Sequence, residues 1–75
     1  MPRIGSVDGM TFSVYFNDHQ PPHFHARAAG SEALIAIDPL RILESDLTAR
    51  QERAALAWAA ENIETIRKAW SDCNG

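Results

Sequence analysis

The sequence predicts an α+β fold, a three- or four-stranded antiparallel sheet with one long C-terminal helix packed on one face. Three observations predict it. Strand-like stretches occupy positions 10–16, 23–28 and 32–38, Pro21-Pro22 and Ala29-Gly30 punctuate them, and from residue 48 apolar residues recur at spacings of three and four. The chain has 75 residues, 45% hydrophobic and 23% charged, which is ordinary globular composition and the length of one domain, residues 1–75.

The first predicted strand covers residues 10–16, Met-Thr-Phe-Ser-Val-Tyr-Phe. Phe12, Val14 and Phe16 fall on one face, with Thr11, Ser13 and Tyr15 on the other. Val7-Asp8-Gly9 reads as the turn before it, and Pro2 to Val7 as an N-terminal arm. Pro21-Pro22 forbids helix and pushes Gln20 towards an extended conformation. Two further strands, near 23–28 and 32–38, meet around Ala29-Gly30. A two-residue loop there sets Ala28 opposite Ser31, Arg27 opposite Glu32, Ala26 opposite Ala33, His25 opposite Leu34 and Phe24 opposite Ile35. An apolar pair and an ion pair then each take a proper face. Leu40 to Leu43 reads as a further short strand or an extended lead-in.

The helix is expected over about 48–72. Thr48-Ala49-Arg50-Gln51 fits a capping box, with Asp46 the rival cap. Leu56, Ala59, Ile63, Ile66, Trp70 and Cys73 form one apolar stripe that keeps its phase through Asn62, which favours a single helix. Such a helix would be about 37 Å long at ~1.5 Å per residue. A seven-residue strand reaches only about 23 Å. The helix is therefore expected to overhang the sheet and to leave Ile66 and Trp70 for a protein partner or a second subunit, or to be covered by the N-terminal arm. Trp58 and Trp70 read as packing anchors.

Composition narrows the function classes. The net charge is −3, without the basic excess that phosphate-driven nucleic-acid binding usually requires. The single cysteine, Cys73, excludes an intrachain disulfide and a Cys₄ or Cys₂His₂ zinc site. The residues after Met1 form no apolar leader, and the longest apolar run, Ala54 to Ala60, is too short to span a bilayer. A cytoplasmic location without membrane contact is the expectation.

All three histidines lie in the segment Asn17-Asp18-His19-Gln20-Pro21-Pro22-His23-Phe24-His25. On a strand, His23, His25 and Arg27 share one face and are expected to point outward or into a groove, while Phe24 and Ala26 face the core. Three uses fit. His23 and His25, completed by His19 or Asp18, offer donors suited to zinc or another divalent transition metal. His23 and His25 can instead act as general base and acid, with Arg27 stabilising developing negative charge, the grammar of a ribonuclease or phosphodiesterase. Or the residues are structural: imidazoles bonded to turn carbonyls or stacked with Tyr15, an Asx-turn at Asp18, and Glu32 paired with Arg27.

The stretch Tyr15-Phe16-Asn17-Asp18-His19-Gln20-Pro21-Pro22-His23-Phe24-His25-Ala26 resembles the bacterial domain-of-unknown-function family 4160. Looser likeness extends to Met1-Pro2-Arg3-Ile4, to Glu32–Ile37, to Asp46-Leu47 and to Trp58 and Trp70. The chain departs from the family's frequent Gly-Gly at Ala29-Gly30 and from its frequent Pro at Thr48. The resemblance implies a compact bacterial domain, often encoded beside another small domain in toxin–antitoxin-like gene pairs. It implies no catalytic or metal residues. The combined reading is a small cytoplasmic interaction module with a histidine-rich functional surface, one component of such a pair. The alternatives are a His-dependent ribonuclease or phosphodiesterase toxin and a divalent-metal-binding domain.

Overall fold

The computed structural model describes residues 3–16 and 21–74. Five strands precede two helices: β1 (Arg3–Val7), β2 (Met10–Ser13), β3 (His23–Ala28), β4 (Ser31–Ile37), β5 (Leu40–Ser45), α1 (Ala49–Glu61) and α2 (Ile63–Asn74). The strands form one antiparallel sheet in the order β1-β2-β3-β4-β5, a meander in which every neighbour in space is a neighbour in sequence. The fold class is as expected, but the sheet has five strands rather than three or four, and two helices replace one.

The extra strands have local causes. Asp8-Gly9 is a hairpin turn with positive φ at both residues, 49° and 81°. Primed two-residue turns demand that conformation and Asp-Gly supplies it. The supposed N-terminal arm thereby folds back as β1, with Val7 opposite Met10. Leu40–Ser45 pairs with β4. The β3–β4 hairpin has the predicted register at every position from Ala28↔Ser31 to Phe24↔Ile35, with Gly30 taking the positive φ in the loop. β2 stops at Ser13, short of the expected residue 16, and β4 is displaced by one residue from the expected 32–38.

Thr48 is the helix cap. Its Oγ1 accepts from the Gln51 N–H at 3.1 Å, and the Gln51 Oε1 accepts from the Thr48 N–H at 2.9 Å, closing the capping box. Asp46 instead bonds the strand region, its Oδ1 accepting from the Glu32 N–H at 2.7 Å. Thr48→Ala is expected to lower stability by about 1 kcal/mol, a fall of roughly 4–8 °C in melting temperature for a domain of this size. Thermal melting followed by far-ultraviolet circular dichroism checks it.

The helix breaks at Asn62 (φ −122°, ψ 25°), whose side-chain amide donates to the Trp58 carbonyl at 2.8 Å. Asparagine competes for backbone groups in this way and is a poor interior helix residue. With the break the Cα trace has a longest extent of 31 Å, where one straight helix of 25 residues would by itself need about 37 Å. The break consumes one residue, so the apolar stripe keeps its phase across it. No helix among the described residues is long and apolar enough to cross a membrane.

Helices and sheet enclose a core of Met10, Phe12, Val14, Phe24, Ala26, Ala33, Ile35, Ile37, Leu47, Ala55, Ala59, Ile66 and Trp70. Trp58 stacks on Phe12 with centroids 4.3 Å apart and meets Phe24 edge-on at 6.0 Å. It lies directly over Gly5, where an added Cβ would meet the indole Cε2 at 3.0 Å. Only glycine lets the indole approach β1 so closely. α2 runs past the end of the sheet where β4 stops and β3 starts. There Arg67 makes two hydrogen bonds to the Asp38 carboxylate, at 2.6 and 3.1 Å, and the Asn74 side chain donates to the Tyr15 carbonyl at 3.0 Å. The guanidinium holds the Asp38 carboxyl below its ordinary range. This contribution is therefore present above the unfolded-state value and is lost as pH falls through the lowered one.

The expected overhang is thus closed by the chain itself. Ile66 and Trp70 are buried, in keeping with the alternative in which the chain itself covers them.

Candidate functional site

β3 places His23, His25 and Arg27 on the face of the sheet opposite Phe24 and Ala26, as alternation requires. Of the row expected to face outward or into a groove, Arg27 is exposed and His25 lines a shallow depression, while His23 is covered. His23 is 1% exposed and His25 8%. The cause is aromatic packing. Trp70 reaches round the sheet end to within 5.2 Å of the His23 ring, and Tyr15 stacks on His25 at 4.0 Å with planes 23° apart. The two imidazoles are themselves 5.2 Å apart and tilted by 59°.

Each ring nitrogen Nδ1 has an acceptor. In His23 it donates to the Pro21 carbonyl at 2.7 Å, tying the strand to the Pro-Pro turn. In His25 it donates to Oε2 of Glu32 at 3.1 Å. Carbonyl and carboxylate oxygens only accept, so Nδ1 of each ring carries a proton. The pairing replaces the expected Arg27–Glu32 ion pair. Arg27 and Glu32 are opposite in register, but the carboxylate turns to the diagonal neighbour. The diagonal was legible in the register, since residues offset by two across an antiparallel pair remain within reach of long side chains.

Beside His25 lies a shallow depression of about 240 Å³ lined by Glu32, Ala33, Leu34 and Glu44. That is less than the roughly 300–1,000 Å³ of typical small-molecule sites. The two carboxylates also oppose entry of a phosphate. A larger hollow of about 360 Å³ lies near the start of α1, between Asp8, Met10, Arg50, Gln51 and Ala54, and contains none of the histidine segment.

Asp18 and His19, the proposed completing metal donors, lie outside the described residues. No group of three His, Cys, Asp or Glu among the described residues is placed to hold a metal ion. Cys73 is half-buried near the end of α2.

Strand alternation places Phe16 on one face with Phe12 and Val14. β2 ends first, Phe16 occupies a turn, and it is 61% exposed, the one large hydrophobic side chain so exposed among the described residues. The sequence offers a faint signal for this. A strand running into Asn-Asp and Pro-Pro must lose its ladder before the prolines.

Neither the curated proteins nor the solved structures contain a match to this chain. The model of one protein family, Domain of unknown function (DUF4160), matches residues 9–71. That span takes in the β2–β5 sheet, the histidine segment and all but the last residues of α2, so the chain belongs to the DUF4160 family.

Proposed function

We propose that this domain is a protein-interaction module, one component of a toxin–antitoxin-like pair, and that it docks its partner at the corner formed by Tyr15, Phe16, His25 and Glu32. One observation carries the reading: Phe16 is 61% exposed immediately beside the Tyr15–His25 stack. Aromatic side chains of this kind anchor interfaces, while surrounding polar groups fix orientation. Here the Glu32–His25 pair and the exposed Arg27 supply that polar rim. The family's frequent gene pairing motivates a small protein as the occupant.

The test is co-expression of a tagged chain with the product of the adjacent reading frame. A stable complex is expected, with growth arrest by one component relieved by the other. Phe16→Ala should weaken the complex by roughly 10- to 30-fold, the loss of an interface anchor, without changing the circular dichroism spectrum. Absence of a complex, or a complex indifferent to Phe16→Ala, would overturn the proposal.

A second reading has one observation in its favour. Glu32 orients His25 as a carboxylate orients the base of a hydrolytic pair. Arg27 shares that face, whereas His23 lies beneath Trp70. RNA cleavage by the purified domain, abolished in His25→Ala with the fold intact, would favour the nuclease; activity unchanged in that variant excludes it.

A further inference from the structure

β5 ends the sheet order, so its outer backbone groups face no strand among the described residues. Such edges template pairing with another chain. The pairing of β5 with β4 shifts register between Leu34 and Ile35: Leu34 faces Glu44, Ile35 faces Ile42 and Ala36 faces Arg41. Leu43 is therefore an inserted residue. In a regular strand Arg41 and Glu44 would point to opposite faces. The bulge brings them to one face, because their partners Ala36 and Leu34 are two residues apart. Both charges are exposed, and neither makes an ion pair among the described residues.

This arrangement reads the same in both directions. In antiparallel self-pairing about a two-fold axis between Ile42 and Leu43, Arg41 of each copy lies opposite Glu44 of the other. Ile42 then lies opposite Leu43, and Leu40 opposite Ser45. Moving the axis by half a residue sets Arg41 opposite Leu43 or Ser45 and loses both charge pairs. Self-complementarity of this kind is what an isologous interface requires. The other edge lacks it, since the only charged residue of β1 is Arg3. Leu43 is half-buried and lies outside the core cluster. It would sit at the middle of the paired strands.

We propose that the β5 edge is a self-association surface. A second copy of this chain adds antiparallel along Leu40–Ser45, joining two five-stranded sheets into one, with an Arg41–Glu44 pair on each side of the two-fold axis. In-plane addition leaves both His25–Glu32 corners on the same side of the joined sheet.

Charge exchange tests it by sedimentation equilibrium between about 10 µM and about 1 mM, the range for an interface this small. The native chain should form a dimer. Arg41→Glu alone and Glu44→Arg alone each set like charges opposite and should weaken dimerisation roughly tenfold or more. An equimolar mixture of the two variants restores both opposite-charge contacts and should form a heterodimer. Arg41→Gln and Glu44→Gln serve as milder versions, and near-ultraviolet circular dichroism of Trp58 and Trp70 verifies folding. A native chain that stays monomeric over the whole range would overturn the proposal. So would a dimer unaffected by either reversal, or reversed variants that fail to associate when mixed.

Discussion

Trp70→Ala should lower the unfolding free energy by about 3–5 kcal/mol, the range for deleting a buried aromatic side chain. A 75-residue domain has only about 4–11 kcal/mol in total, at ~0.05–0.15 kcal/mol per residue. The variant should therefore lose a large fraction of its stability, and at the low end of that range it would be substantially unfolded at ambient temperature. The reason is position as well as size. Trp70 belongs to the core cluster shared by sheet and helices, and its indole also covers His23 on the far side of the sheet end. One side chain thus seals the core and pins the start of β3. Truncation leaves a cavity that cannot collapse without moving α2, which is held to the same sheet end through Arg67–Asp38 and Asn74–Tyr15. Urea denaturation followed by circular dichroism measures the effect, and Trp70→Phe, which keeps part of the volume, should recover about half of the loss. A full Trp70→Ala cost below about 1 kcal/mol, the level of an ordinary surface substitution, would mean that α2 does not close the core.

The β3–β4 register could be read because Ala29-Gly30 fixes the loop and the alternation fixes the faces, leaving one arrangement that buries Phe24 with Ile35. The Thr48 cap could be read because its partner stands three residues on. β1 is not legible in its own residues, although Asp8-Gly9 is among the strongest short-range hairpin signals. Its strand is too short and mixed to announce itself without the pairing that Asp8-Gly9 imposes. The break at Asn62 escaped because periodicity reports phase and not axis direction, and one inserted non-helical residue leaves phase intact. What marks the break is local side-chain competition, the Asn62 amide taking the Trp58 carbonyl, which periodicity does not register.

The histidine segment divides along the same line. Which residues share a strand face is local, and it was predicted. What covers that face is not local. Trp70 is 47 positions from His23 in sequence, and no pattern in the segment foretells that the helix end will turn over it. Exposure of Phe16 and burial of His23 are two consequences of one fact: the ladder of β2 stops at Ser13 while α2 wraps the sheet end.

His23 and His25 should consequently behave as different kinds of residue, although they stand two apart on one strand. His23→Ala is expected to cost about 3 kcal/mol, from a ring-sized cavity under Trp70 and from a Pro21 carbonyl that loses its donor. His23→Phe refills the space without restoring the donor and should cost only about 1–2 kcal/mol, the hydrogen-bond part alone. His25→Ala removes a ring that touches Tyr15 on one side and a half-exposed carboxylate on the other. Glu32 can return to water, but the ring is 8% exposed and stacked on Tyr15, so the cost should be about 2 kcal/mol, below that of His23→Ala. Chemical denaturation of the three variants measures all of these differences together. If His25→Ala proved more damaging than His23→Ala, the division would be reversed, and His25 would be the scaffold residue. If the expected order holds, loss of partner binding in His25→Ala can be assigned to the surface it forms, because the domain beneath it remains folded. The same loss in His23→Ala cannot be so assigned, and a functional screen of this segment should therefore place its weight on His25, Phe16 and Arg27.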